Sequence, residues 1–319
     1  MFSGSFVALV TPFREDAIDV EAFQRLIEWQ IAEGTEGLVV CGSTGEGFSL
    51  TREEHARVID VTVKTVRKRV PVIAGASSMT TSGAIDLAHQ AENLGADGLL
   101  IVTPPYVKPT QDGIYEHFRA VAAAIELPII VYNHPGRTGT MIEDQTMIRL
   151  AALETIVGVK DSTDLLSRPL ALRQVLGPDF VQLSGDDGTA LAFLAQGGHG
   201  CISTIGNLVP GLCARLHLLW KEGKKEEALD LQTELYSLYR LAFSEASPAP
   251  VKDGLSYMGL CQADIRSPLQ PFSPGGQKAL RQKLLEMGAL DSIASFLENN
   301  PILGLGDTSL PSTPEALSQ

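Results

Sequence analysis

The chain has 319 residues, of which 44% are hydrophobic, so it can bury a large core as one large domain or two small ones. Its formal net charge of −13 argues against a nucleic-acid partner, because phosphate backbones are bound by basic surfaces. The N-terminus lacks a signal pattern and no apolar run approaches the roughly 18 residues of a membrane span, so we expect a cytoplasmic location and no membrane association.

Short β-branched or apolar runs recur along the chain and alternate with segments of helical periodicity. The predicted strands comprise residues 6–10, 37–41, 71–74, 97–102, 127–132, 155–160, 180–184 and 200–203. Eight strand–helix units without a phosphate-binding fingerprint favour an α/β fold of the (β/α)8 TIM-barrel type over a doubly wound sheet.

Helices are predicted from apolar stripes and caps. One covers residues 20–33, and the next opens on a capping box formed by Thr51 and Glu54. After the eighth strand we predict helices at residues 208–218, 221–241 and about 275–287, with an irregular, proline-containing stretch at 246–274. The predicted units are therefore a catalytic barrel at 1–225, a C-terminal helical region at 226–298 and a flexible tail at 299–319.

The four cysteines, Cys41, Cys201, Cys213 and Cys261, show neither CxxC pairing nor metal-ligand spacing, so we expect reduced thiols. P-loop, HExxH, GxSxG and GxGxxG motifs are absent from the sequence. The sequence therefore predicts no metal and no cofactor.

Lys160 is the first residue that suggests a chemistry. It ends an apolar run at 155–160, where β-branched neighbours exclude water and favour the free amine, a nucleophile able to form a Schiff base with a carbonyl substrate. A lysine at a strand end can also simply extend to water. A second apolar strand, which delivers Tyr132 and Arg137 into a Pro/Gly turn, favours the catalytic interpretation.

Active sites of TIM barrels lie at the carboxyl ends of the strands, so residues that follow the predicted strands are expected to converge there. These residues are Thr11, Ser43, Thr44, Tyr106, Tyr132, Arg137, Lys160, Gly185, Asp186 and Ser203.

Side-chain chemistry suggests roles for four of them. Dehydration of a carbinolamine on the lysine needs a proton shuttle, and the phenol of Tyr132 can both donate and accept a proton. Ser43 is placed to connect it to a second phenol, and the Ser43-Thr44 loop offers donors for a carboxylate, although the same loop can serve only as a helix cap. Arg137 offers a bidentate fork for a second carboxylate, or forms a surface ion pair.

Five segments in order resemble the dihydrodipicolinate synthase (4-hydroxy-tetrahydrodipicolinate synthase) family of pyruvate-dependent class I aldolases and lyases. They are residues 42–46, 102–106, 132–139, 158–161 and 183–187, and the similarity extends from residue 1 to about 290. The resemblance implies a TIM-barrel lyase of lysine and diaminopimelate biosynthesis that condenses pyruvate with aspartate 4-semialdehyde through a lysine imine. It also implies a homotetramer arranged as a dimer of dimers.

The resemblance assigns the imine to Lys160 and the proton relay to Tyr132, Ser43 and Tyr106, with Tyr106 reaching across a subunit interface. It makes Thr44 and Ile202 the lining of the pyruvate pocket and gives Arg137 the carboxylate of aspartate semialdehyde. Gly185, after the seventh strand, is added to the predicted substrate-binding residues.

Two alternatives stay open. Ser43 stands where the synthases usually have threonine, and sialic acid lyases carry Gly-Ser-Thr-Gly-Glu, so a sugar-acid lyase of the N-acetylneuraminate or 2-keto-3-deoxy sugar acid type is the second hypothesis. These lyases lack an arginine at position 137, which favours the synthase. A catalytically silent barrel that acts in assembly or binding is the third hypothesis.

The resemblance also concerns regulation by lysine, which inhibits many members from a site at the dimer interface. The matching positions here are Met79, Gly83 and Pro105, none of which can pair with an ammonium group, with His55 nearby. We therefore predict weak or no inhibition by lysine.

Overall fold

The computed structural model describes residues 2–300. Its strands are β1 (Gly4–Ala8), β2 (Phe13–Arg14), β3 (Ala17–Ile18), β4 (Gly37–Val40), β5 (Val72–Gly75), β6 (Gly98–Val102), β7 (Ile129–Asn133), β8 (Ile156–Asp161), β9 (Val181–Ser184) and β10 (Gly200–Ser203). The parallel strands β1 and β4 to β10 close into a barrel in the order β1-β10-β9-β8-β7-β6-β5-β4, and β2 pairs with β3 in a separate antiparallel hairpin.

Helices cover the outside of the barrel and extend the chain beyond it. They are α1 (Val20–Ala32), α2 (Arg52–Val66), α3 (Thr81–Asn93), α4 (Gln111–Ala122), α5 (Pro135–Thr138), α6 (Asp144–Ala151), α7 (Arg168–Leu176), α8 (Ala190–Ala195), α9 (Pro210–Lys221), α10 (Lys225–Ala242), α11 (Ala249–Tyr257), α12 (Pro274–Glu286) and α13 (Ala289–Asn299). The TIM-barrel prediction is confirmed, and each predicted barrel strand lies within two residues of the observed one.

Local sequence signals account for several element ends. The predicted capping box is present at α2, where Thr51 accepts from the Glu54 N–H while the Glu54 carboxylate accepts from the Thr51 N–H. The prediction of an irregular stretch at 246–274 was wrong over residues 249–257, which form α11. Pro250 lies in the first turn of α11, where a helix loses no hydrogen bond to proline, so a residue taken as a breaker marks a helix start.

The barrel interior is filled by side chains from alternate positions of the strands, as in other TIM barrels. The buried interior cluster consists of Phe6, Ala8, Val39, Ile73, Leu100, Val102, Ile130, Tyr132, Val181, Leu183 and Ile202. Gly37 makes room for Phe6, since a Cβ at Gly37 would lie 2.0 Å from the Phe6 ring. A larger apolar cluster packs the outer faces of the strands against the helices.

The predicted division of the chain stays a prediction. Its boundary between residues 225 and 226 falls at the start of α10, which packs against α9. Most of the predicted tail at 299–319 lies outside the described residues. Within residues 2–300, no helix combines the length and the apolar character needed to cross a bilayer.

Candidate active site

Lys160 and Tyr132 lie side by side at the carboxyl ends of β8 and β7. They are register partners in the parallel ladder, so their side chains point to the same, inner face of the barrel. The Lys160 Nζ lies 4.4 Å from the centroid of the Tyr132 ring. Only 5% of Lys160 and 8% of Tyr132 is exposed. The structure thus holds a primary amine against a phenol in a space with little water.

The absence of a side chain at Gly185 leaves room for the Lys160 side chain. The Gly185 N–H donates to the Asp161 carbonyl at 2.7 Å, which holds the turn after β9 against the end of β8. A Cβ at Gly185 would lie 2.9 Å from the Lys160 Cε and 2.0 Å from the Ser162 Oγ. Any larger residue would displace the lysine side chain, so the predicted substrate-binding glycine also makes space for the amine.

His134 also reaches the site, from the segment after β7. The ring of His134 packs edge-on to Tyr132, with centroids 5.5 Å apart. Burial, together with the positive charges of Arg137 and Lys160, lowers the pKa of His134 to about 4. His134 is therefore neutral at physiological pH. His134 is not among the residues predicted from the sequence, although it stands in the segment that supplied Tyr132 and Arg137.

The loop after β4 carries Ser43 and Thr44. The Thr11 hydroxyl donates to the Gly45 carbonyl at 2.7 Å, and the Glu46 N–H donates to the Ser43 carbonyl at 3.1 Å. Thr44 is buried, whereas Ser43 is partly exposed. Thr11 is therefore a support of this loop in the structure, where the sequence offered it only as a member of the site face.

Ser43 and Arg137 line one cavity of about 390 Å³, whose walls also include Val102, Pro105 and Leu269. Ile202 lies elsewhere, in the interior cluster that also contains Tyr132. The structure thus places Tyr132 and Gly185 each beside Lys160, and places Ser43 and Arg137 along one opening.

Tyr106 does not join this group within a single chain. Its side chain is 84% exposed, and its backbone has a φ of +72°, in the left-handed region that non-glycine residues seldom adopt. A large aromatic side chain is thus exposed at a residue with an unfavourable backbone conformation.

Asp186 and Ser203 form hydrogen bonds within their own loops. The Asp186 carboxylate accepts from the Thr189 hydroxyl at 2.6 Å, and the Ser203 hydroxyl accepts from the Gly206 N–H at 2.7 Å. These hydrogen bonds do not connect Asp186 or Ser203 with Lys160, so their place in the site stays a prediction.

An ion pair that sequence analysis missed anchors the loop after β4. The ammonium of Lys252, on α11, contacts the Glu46 carboxylate, and both side chains are buried. Burial lowers the pKa of Lys252, and the Glu46 charge opposes that shift. The two residues are 206 positions apart, so no local pattern links them.

A buried lysine against a tyrosine at the carboxyl face of a closed (β/α)8 barrel is the arrangement expected of a lyase that works through a lysine imine. Within residues 2–300 there is no group of three or more His, Cys, Asp or Glu side chains that could hold a metal ion.

Comparison with known proteins gives the family. Residues 1–287 match the model of the dihydrodipicolinate synthetase family, and the chain belongs to this family. The 4-hydroxy-tetrahydrodipicolinate synthase of Rhodospirillum centenum is 51% identical over 290 residues, which cover 91% of this chain and 100% of the relative. The resemblance inferred from the five segments is confirmed.

Two solved structures share the fold over almost their whole length. The chloride-inhibited dihydrodipicolinate synthase of Acinetobacter baumannii, complexed with pyruvate, is 40% identical with a TM-score of 0.88, and the match covers 91% of this chain and 100% of that one. The enzyme of Cyanidioschyzon merolae with lysine bound is 34% identical with a TM-score of 0.88, covering 91% of this chain and 99% of that one.

Proposed function

We propose that this protein condenses pyruvate with aspartate 4-semialdehyde through a Schiff base on Lys160. It is an enzyme of the lyase class, it makes 4-hydroxy-tetrahydrodipicolinate, and it serves lysine and diaminopimelate biosynthesis, the activity for which its Rhodospirillum centenum relative is named. The observation that carries the assignment to Lys160 is the burial of its amine 4.4 Å from the Tyr132 ring centroid.

The proposed reaction begins when the free amine of Lys160 attacks the keto carbon of pyruvate. The resulting carbinolamine loses water after its hydroxyl is protonated, and an imine forms. Loss of a proton from the pyruvate methyl group gives an enamine, whose carbon attacks the aldehyde. Tyr132 carries these protons, since its phenol lies beside the amine, with Ser43 and Tyr106 of the partner subunit continuing the relay.

Two separate groups serve the two carboxylates. The Ser43-Thr44 loop, with Ile202 and Gly185 as neighbours of the pyruvate pocket, receives the pyruvate carboxylate. Arg137, on the wall of the 390 Å³ cavity, receives the carboxylate of aspartate semialdehyde. A sugar-acid substrate has no second carboxylate for this guanidinium, which favours the synthase over the lyase alternative.

The proposed assembly is a homotetramer built as a dimer of dimers. Exposed apolar side chains support contact surfaces at Tyr106 and Val107, at Leu170 on α7, and at Tyr236 on α10. Contact with a partner would bury Tyr106 and compensate for its backbone conformation.

The proposed location is the cytoplasm. All four cysteines are free and buried, and burial raises the pKa of the Cys41, Cys201 and Cys213 thiols. Reduced, unreactive thiols suit a reducing compartment.

Lys160 is expected to be the trapped residue when the protein is incubated with pyruvate and borohydride, which reduces an imine to a stable amine. Mass spectrometry of the digested protein should show the adduct at Lys160. The variant Lys64→Ala, which removes an exposed lysine paired with Asp60, should trap as well as the wild type. An adduct on another lysine would rule out the mechanism. Activity with N-acetylneuraminate or 2-keto-3-deoxygluconate, but not with aspartate semialdehyde, would favour the lyase.

Arg137→Ala should raise the KM for aspartate semialdehyde and lower kcat/KM by about 10- to 1000-fold, because a charge-assisted contact is lost. Trapping of pyruvate on Lys160 should survive. Arg119→Ala, at an exposed arginine paired with Glu116, is the matched control and should leave both constants unchanged. An equal loss of pyruvate trapping in Arg137→Ala would show that the two carboxylates do not use separate groups.

Mixing two inactive variants tests whether Tyr106 acts across an interface. In a hybrid of Lys160→Ala and Tyr106→Phe chains, one site combines the intact lysine of one chain with the intact tyrosine of the other. Random reassembly of dimers from equal amounts should restore roughly a quarter of wild-type activity. If Tyr106 served its own chain, the mixture would stay inactive after unfolding and refolding together, a treatment that should leave wild-type activity intact.

Lysine should inhibit weakly, with half-inhibition above about 1 mM, which corresponds to roughly −4 kcal/mol of binding. Met79 and Pro105 offer no charge, and the buried His55 is already engaged, with Nε2 2.7 Å from the Gly75 carbonyl and Nδ1 3.1 Å from the Gln90 Oε1. Burial lowers the pKa of His55. Titration of the steady-state rate with lysine, together with calorimetry, measures the effect. Submillimolar inhibition would contradict the assignment of this pocket.

A further inference from the structure

The loop that carries Ser43 and Thr44 ends in a residue under backbone strain. Glu46 has a φ of +52°, in the left-handed region, and it begins the 3-10 turn at Gly47–Ser49. Its N–H donates to the Ser43 carbonyl at 3.1 Å and its carbonyl accepts from the Ser49 N–H at 2.8 Å. The conformation of Glu46 therefore sets the direction in which Ser43 and Thr44 are presented.

Glu46 is held there by a distant part of the chain. One carboxylate oxygen contacts the Lys252 ammonium, and the other accepts from the Arg266 N–H at 3.0 Å. Lys252 is 0% exposed, also donates to the Asp264 carbonyl at 2.8 Å, and lies 4.2 Å from the centroid of the Phe13 ring. The ammonium is thus confined between the loop, α11 and the segment that follows α11.

A buried ion pair contributes little to the free energy of folding, because the desolvation of both charges offsets their attraction. It is an effective device for fixing one geometry, because each charge is satisfied only when the other is in place. Glu46 lies shortly after Ser43 and Thr44, so the ion pair that fixes Glu46 also affects the donors proposed to bind the substrate carboxylate.

We propose that Lys252 is a positioning residue for pyruvate recognition: through Glu46 it holds the Ser43-Thr44 loop in the conformation that receives the substrate carboxylate. The inference rests on the proposed function, in which this loop binds pyruvate. Lys252 touches no substrate and acts through Glu46.

The test is a steady-state comparison of Lys252→Met and Glu46→Gln with the wild type. Each variant breaks the pair at nearly unchanged side-chain length. Both should raise the KM for pyruvate by about 10- to 100-fold, while the KM for aspartate semialdehyde, whose carboxylate is assigned to Arg137, changes by less than about threefold. Borohydride trapping at saturating pyruvate should still label Lys160.

The matched control is Arg281→Met. It breaks the ion pair that joins Asp253, the neighbour of Lys252 on α11, to α12, and it leaves the Ser43-Thr44 loop untouched. This variant should lose thermal stability without a change in the KM for pyruvate. A purely structural role for Lys252 predicts the same behaviour for Lys252→Met.

The double variant Glu46→Gln/Lys252→Met removes both charges. It should regain thermal stability relative to Lys252→Met, because no unpaired charge stays buried, but it should keep the raised KM for pyruvate. If Lys252→Met does not fold, the KM for pyruvate of the double variant and of Glu46→Gln tests the inference instead.

A KM for pyruvate within twofold of the wild type in the folded variants, or an equal rise in both KM values, would overturn the inference. Failure of the proposed function looks different, because the wild type itself would then fail to trap pyruvate on Lys160.

Discussion

The hydrogen-bond register between β7 and β8 is the constraint on which the site depends. It pairs Tyr132 with Lys160 and Asn133 with Asp161. Because side chains alternate along a strand, the first pair faces the interior and the second faces the helices. A slip of β8 by one residue would turn Lys160 outward and bring the Asp161 carboxylate into the barrel in place of the amine.

The outward pair helps to hold this register. The Asn133 amide donates to the Ile142 carbonyl at 2.9 Å and accepts from the Ile142 N–H at 3.0 Å. Asp161 forms a buried ion pair with Arg168 at 3.0 Å, and Arg168 also donates to the Ile142 carbonyl at 3.2 Å. These buried groups have all their hydrogen-bond partners only in the observed register. The outward-facing network therefore fixes the positions of the inward-facing Tyr132 and Lys160.

Sequence analysis recovered the parts of the molecule that local patterns determine. The strand ends follow from apolar runs, and strand ends place Lys160, Tyr132 and Gly185 on one face. It missed α11, because prolines at a helix start were interpreted as breakers, and with α11 it missed Lys252. The ion pair between Glu46 and Lys252 joins residues 206 positions apart, so no local pattern in the sequence predicts it. The exposed Tyr106 has a role in the proposed site only if a partner chain lies beside it.

The charge balance at the site explains why Tyr132, rather than His134, is suited to carry protons. The chain has a net charge of −13, yet both proposed substrates are anions, so local cationic groups must attract them. Burial and the positive charges of Arg137 and Lys160 keep the pKa of His134 at about 4. A protonated imine on Lys160 carries the same positive charge as an ammonium, so it keeps the pKa of His134 low at that stage of the proposed reaction. In the proposed mechanism, proton transfer is therefore assigned to Tyr132, whose ring centroid lies 4.4 Å from the amine.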